Sequence, residues 1–398
     1  MNRLTRCFLC LIIAALLLTG CWNRRELNEI AIALGVGIDK NDEGYKISVQ
    51  VVNPGAVAPQ QNASANTAPV ITYTLSGATI FEAMRRITTI SPRKIYLSHI
   101  RIIVVGEEAA REGLHTFVDL LSRDHELRTD FYLLVSRDMT AEKILKVITL
   151  LERIPVNKMY ASLLSSSAAW ASTQKVTLDQ LIQDISSKGK SSVLPGINIV
   201  GNPKIGATQE NVQRLDLHAL LQLEDMAVFK DGKLTAWMNE AESKVFNFIT
   251  GNVKSTVNNI PCKEGNLALE VLTNKSKLTA DVRHGRPEGK VKMELDVNIG
   301  EIQCEIDVTQ EADIRRIESE AEDMLEREIA SLLEKAQQQF RSDIFGFGMA
   351  LHRSSPEYWR RVKADWHQEH FPAMKTAVEV KVSVRGIGSI TNPLSIPD

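Results

Sequence analysis

Apolar and polar positions alternate along much of this chain, and at several points the alternation gives way to helical spacing. Ile30, Ile32, Leu34, Val36 and Ile38 fall on one side of an extended segment. After the turn-rich Asp39–Gly44 the pattern resumes, with Tyr45, Ile47, Val49 and Val51 set against Lys46, Ser48 and Gln50. Period-two patterning around a turn predicts a β-hairpin. Pro54–Pro69 carries Pro, Ala, Gln and Asn without period and is expected to be an exposed mobile loop. Thr79–Ile90 predicts a short amphipathic helix, with Ile80, Ala83, Met84 and Ile87 on one face and Ser91-Pro92 as its stop. The compact apolar runs Ile100–Val105 and Phe131–Val135 predict buried strands. A helix is expected between them, from Glu107 to about Leu121, and a second, capped by Thr140, through Leu150. Strand, helix, strand, helix predicts a βαβ piece with parallel pairing. Pro155–Lys190, rich in Ser and Ala, is expected to form loosely packed helices.

Past Pro195-Gly196, the expected domain boundary, the pattern turns to β. Met226–Lys230 and Lys233–Trp237 flank Asp231-Gly232, which predicts a hairpin on a two-residue turn. Val291, Met293, Leu295, Val297 and Ile299 alternate with Lys292, Glu294, Asp296 and Asn298, as in a sheet with one wet face. Ile314 to Phe340 predicts the longest helix, with a stripe through Ile317, Ala321, Leu325, Leu332, Leu333 and Ala336 and a charged, solvated opposite face. Pro356–Phe371 predicts an aromatic-rich helix or pair of turns, and Val378, Val380, Val382 and Val384 a last strand. Strands flank the long helix in sequence, so it is expected to pack across their sheet. The expected fold class is α+β, multi-domain, with mixed sheets and bracing helices. The expected divisions are a leader 1–20, an α/β domain 21–195, a β-rich domain 196–308 and a long-helix domain 309–398, or 196–398 as a single unit.

The first residues alter this picture. Arg3 and Arg6 precede an apolar run, Phe8–Leu18, too short to span a bilayer. The run leads into Leu18-Thr19-Gly20-Cys21, which resembles the bacterial lipobox. That resemblance implies that Met1–Gly20 is removed and that Cys21, now N-terminal, carries a diacylglyceryl thioether. Two acyl chains hold a protein stably at a membrane. Trp22–Leu27 is then a short stalk, and no later apolar run approaches spanning length. The formal charge is −2 for the whole chain, and removal of Arg3 and Arg6 makes it −4. That balance argues against nucleic acid as a partner and gives no overall pull toward anionic lipid. Of five cysteines, Cys7 and Cys10 leave with the leader and Cys21 is the lipidation site, so Cys262 and Cys304 remain. The compartment permits a bridge between them. The place of Cys304 on the apolar face of an alternating strand favours independent buried thiols.

Candidate chemistry is sparse. Gly189-Lys190-Ser191 ends like a phosphate loop, but Asp184 stands where the first glycine belongs. His367 and His370 are three apart, beside Trp366, and lack the His-Glu-x-x-His order of a zinc helix. Gly346-Phe-Gly348 and Gly386-Ile-Gly388 lack the third glycine of a dinucleotide fingerprint and read as turns. The chain is therefore expected to be no enzyme, with no catalytic residue, metal or cofactor.

Several stretches together resemble one family, the Ger(x)C lipoproteins, C subunits of nutrient germinant receptors in spore-forming Gram-positive bacteria. They are Cys21-Trp22-Asn23-Arg24-Arg25-Glu26-Leu27-Asn28 with Gly37-Ile38-Asp39; Ser91-Pro92-Arg93-Lys94 with His99 and Gly106-Glu107; and Asn247-Phe248-Ile249-Thr250-Gly251. The most extended is Gln338, Phe340 and Asp343-Ile-Phe-Gly-Phe-Gly348, followed by Pro356-Glu357-Tyr358-Trp359, Trp366, Phe371 and Gly386-Ile-Gly388. Asn23 departs from the aspartate expected after Cys-Trp. The resemblance spans essentially the whole chain beyond the leader. It implies a three-domain body, lipid-anchored on the outer face of the spore inner membrane, without an enzyme site. It also implies association with integral membrane A-type and B-type receptor subunits that sense nutrients. The competing reading from the same anchor is a solute-binding lipoprotein of a transporter, which would have two α/β lobes around a cleft. The strand-rich second half with its single long helix speaks against that.

Overall fold

The structure is a computed structural model describing Thr5 and residues 29–57, 68–124, 126–213, 215–263 and 265–387. Strands β1 (Ile30–Asn41) and β2 (Gly44–Val52) form the expected hairpin, and β3 (Val70–Gly77) extends it antiparallel. Of the expected loop, Pro54–Val57 is one helical turn, the Asn53 amide donates to the Pro69 carbonyl at 2.9 Å, and residues 58–67 lie outside the described set. Helix α1 (Ile80–Arg86) starts at Thr79, whose hydroxyl accepts from the Glu82 amide. Strand β4 (Lys94–Tyr96) runs parallel to the start of β1.

Beside β1, β5 (Ile102–Val105) and β6 (Tyr132–Ser136) pair in parallel, as the βαβ pattern predicts. The connection holds two helices rather than one, α2 (Glu107–Glu112) and α3 (His115–Arg123). Gly113, at φ +140, breaks them apart, and the Leu114 amide donates to the Gly232 carbonyl at 2.7 Å. Helix α4 (Ala141–Lys146) is capped by Thr140 but stops short of Leu150. Three β-branched residues follow, Val147, Ile148 and Thr149, and the Ile148 amide donates to Gly206 rather than to its own helix. Helix α5 (Pro155–Ala169) buries Met159 and Leu163, and α6 (Leu178–Ser186) carries a capping box at Thr177 and Gln180. These segments are firmly packed, not loose.

Strands β7 (Val193–Gly201), β8 (Ala219–Lys230) and β9 (Lys233–Met238) complete a nine-stranded sheet ordered β3-β2-β1-β5-β6-β7-β8-β9, with β4 beside β1. The expected boundary at Pro195-Gly196 falls inside β7, where Gly196 pairs with Val135 of β6. The sheet runs on through that point, and the predicted Asp231-Gly232 hairpin forms its outer edge. The switch from helical to strand patterning there marks a change of element, not of core. Helices cover both faces of this sheet. Ile103, Val105, Leu133 and Val135 face α1, α2, α3 and α6, while Ile102, Val104 and Leu134 face α4 and α5. Burial on both faces is why the central strands read as unbroken apolar runs. Gly35 admits the α4–α5 layer closely, since a Cβ there would lie 2.4 Å from a Val156 methyl.

After α7 (Glu240–Thr250), capped by Asn239 and ended at left-handed Gly251, the chain builds a second sheet. Its order is β10 (Thr256–Cys262), β11 (Gly265–Arg283), β12 (Arg286–Ile302) and β13 (Lys375–Gly386), antiparallel except for the last pair. One face carries Val291, Met293, Leu295, Val297 and Ile299 into the core and the other is wet, as the alternation predicts. Helix α8 (Glu311–Lys335) lies on that core and against β13.

Two features of this half depart from expectation. Cys262 and Cys304 form a disulfide, their Cα atoms 6.2 Å apart. Cys262 ends β10 and Cys304 follows β12, and both flank the start of β11, an adjacency that a sequence separation of 42 hides. The charged face of α8 is not solvent-facing throughout. Glu318, Glu322 and Glu326 accept hydrogen bonds from the Val384, Val382 and Val380 amides at 2.8, 2.9 and 3.0 Å. Four helical residues rise about 6 Å and two strand residues about 6.6 Å, so a glutamate every fourth position meets every second amide. The helix thereby occupies the outer edge of the sheet.

Candidate functional site

The two sheets meet where α8 ends. Its last turn widens over Ala336–Phe340, and Arg341 adopts the left-handed conformation at φ 47. The reversal drives Ser342 and Asp343 inward, and both are fully buried. The Asp343 carboxylate caps α9 (Phe347–Ser354). One oxygen accepts from the Gly346 and Phe347 amides at 2.8 and 3.2 Å, and the other from the Gly348 amide at 2.7 Å and the Trp366 indole at 2.9 Å. Four N–H donors thus saturate a single carboxylate.

Asp343 also joins the halves through its backbone and its neighbour. Its carbonyl accepts from the Ser191 amide at 2.7 Å. The Ser342 hydroxyl is bonded to the Ser191 hydroxyl at 2.7 Å and to the Phe229 carbonyl at 3.1 Å. The Met349 amide donates to Gly189, and only glycine fits on either side: a Cβ on Gly348 would sit 2.6 Å from the Gly189 Cα. On the solvent side, His367 Nδ1 accepts from the Asp343 amide at 3.1 Å. Burial raises the Asp343 carboxyl above its ordinary value, against the hydrogen bonds from Gly348, Trp366 and Gly346. Burial lowers the His367 imidazole, against the pull of Asp343 and Asp231.

Aromatic rings wall the joint. Phe246, Phe345, Phe347 and Phe371 follow one another at centroid distances of 5.9, 6.2 and 6.3 Å, and Trp366 contacts Phe371 and Trp359 at 6.2 and 5.5 Å. Trp359, Trp366 and Phe371 are buried, and α10 (Pro356–Val362) holds Tyr358 and Trp359 in place. Beside the joint opens a polar cleft of about 300 Å³. Lys188, Lys190, Asp231, Lys363 and His367 are among its walls.

The residues singled out in the sequence take these places. Gly189-Lys190-Ser191 forms the first-sheet side of the joint, with Lys190 paired to Asp184 at 3.0 Å. His367 serves the joint, and among the described residues no group of three or more His, Cys, Asp or Glu is placed to hold a metal. Gly346 and Gly348 present amides to Asp343, Gly386 lies in β13, and Gly388 is outside the described residues. Cys21 is likewise outside them. No helix among the described residues is long and apolar enough to cross a membrane.

Asp343, His367 and the serines Ser191 and Ser342 lie close together without forming a nucleophilic triad. A triad histidine donates an Nδ1–H hydrogen bond to the carboxylate. Here Nδ1 accepts from a backbone amide, and the carboxylate is occupied by other donors. The roles of Ser191 and Ser342 were not visible in the sequence. The available signal was Asp343 itself, a lone carboxylate opening the apolar run Ile344–Phe347, which needs donors wherever it is buried.

Two family models match the chain, one described as spore germination protein N-terminal domain over residues 23–199 and one as spore germination B3/GerAC-like, C-terminal, over 224–388. Spore germination protein KC of Bacillus subtilis (strain 168) is 30% identical over 391 residues, covering 96% of each chain. Spore germination protein A3 of the same organism is 24% identical over 96% of this chain and 97% of its own. The crystal structure of the GerBC protein superposes with a TM-score of 0.52 at 17% identity, covering 88% of this chain and 96% of that one, which shows a shared fold. The chain belongs to the spore germination B3/GerAC-like family.

Proposed function

We propose that the protein is a lipid-anchored, non-enzymatic C-type subunit of a spore nutrient germinant receptor. It is tethered through Cys21 to the outer face of the spore inner membrane and docks on integral membrane A-type and B-type subunits. The Asp343 joint carries this reading: the residues behind the family resemblance in the second half are consumed in packing and hydrogen bonding. Folded surfaces, rather than a reactive centre, are left to do the work. Confinement by two acyl chains raises the effective concentration of such surfaces next to membrane partners, so modest contacts suffice. Gentle crosslinking in spore membranes tests the assembly. Two polytopic proteins should be recovered with the tagged chain, and recovery of the chain alone after efficient crosslinking would contradict it.

A further inference from the structure

The cleft beside the joint is walled from both halves of the molecule. Lys188 precedes β7 on the first-sheet side, and Lys363 follows α10 on the other. Lys190 is neutralised by Asp184, whereas Lys188 and Lys363 are exposed and have no ion-pair partner among the described residues. Asp231 is the one remaining acidic residue in the lining, so two free ammonium groups face a single carboxylate. Burial favours the neutral form of His367, and that ring is already engaged with the joint through the Asp343 amide and the Lys188 backbone. The cleft holds about 300 Å³, the scale of a small metabolite rather than of a peptide helix or an acyl chain.

We propose that this cleft binds a small carboxylate- or phosphate-bearing solute between Lys188 and Lys363. Charge-assisted hydrogen bonds to both ammonium groups hold the anion. Each lysine comes from a different half, so occupancy tightens the joint and makes its rigidity depend on a solute. This is a property beyond assembly and does not require the membrane partners.

Titration calorimetry of the full chain in detergent, at low ionic strength, with succinate and with inorganic phosphate as separate probes, tests the site. Saturable binding of at least one probe is expected, and which one binds identifies the anionic group. The Lys188→Ala/Lys363→Ala double variant should weaken binding about tenfold or more, while Lys290→Ala, on the second sheet, should leave it unchanged. Bound anion should also slow amide exchange in residues 187–192 and 363–368 together. No saturable heat with either probe up to about 10 mM, or equal binding by the double variant, would overturn the proposal.

Discussion

Asp343 shows how one buried carboxylate organises a fold. Its four donors come from the turn it caps and from Trp366, so removing its charge leaves several N–H groups without an acceptor. Asp343→Asn should cost about 2–4 kcal/mol in urea unfolding, because a buried acceptor of charge-assisted bonds becomes in part a donor. His367 adds a pH dependence. Its proton is held less tightly in the fold than in the unfolded chain, where the value is about 6.5. The unfolded state therefore takes up the proton first as the pH falls. The stability tied to a neutral His367 is fully present above about pH 6.5 and is lost as the pH drops from there toward the folded value. Asp343 and Asp231 face the ring and oppose this, while Lys230 reinforces it. The free energy of unfolding should therefore fall between pH 7.5 and 5.5 in urea titrations, and His367→Gln should flatten that slope. At this scale the sequence was legible where a residue served its own neighbourhood: Thr140 caps the helix it precedes. It was silent where partners lie far off, as with Ser191 and Ser342, 151 residues apart.

Periodicity identified most elements, and it failed where an element's end depends on something elsewhere. The break at Gly113 is seated by Gly232, and the early stop of α4 by Gly206. The glutamates of α8 look like any solvated face in sequence because their acceptor role depends on β13, which pairs only after the chain has returned. Converting Glu318, Glu322 and Glu326 together to Ala should cost about 1 kcal/mol each by chemical denaturation. It should also promote self-association in sedimentation velocity, because a bare strand edge recruits other strands. The matching Gln variant keeps an acceptor and should stay monomeric. The disulfide belongs to the same scale, since strand order alone brings Cys262 to Cys304. Reduction should lower stability by about 2–4 kcal/mol, read as a shift of the urea midpoint on adding reductant.

The whole molecule is two sheets held together at the Asp343 joint and again at α7 and β10, where the Asn247 amide donates to the Ala171 and Thr173 carbonyls and the Thr256 hydroxyl to the Trp170 carbonyl. The first is covered on both faces by helices and the second is braced on one face by α8. The α+β class with a long helix on a C-terminal sheet was legible because each sheet announces its solvent exposure: unbroken apolar strands in the first, strict alternation in the second. The joint was not legible, because nothing local tells Gly189 that it must meet Gly348. A rigid body of this kind, without a reactive centre in the proposed account, acts through where it is held. The central claim is tested most directly by membrane partition of Cys21→Ala in spores, read together with nutrient-triggered germination. The account predicts that the variant leaves the inner membrane fraction as a folded, soluble chain and that germination falls. Full retention of the variant in that membrane with normal germination would contradict it.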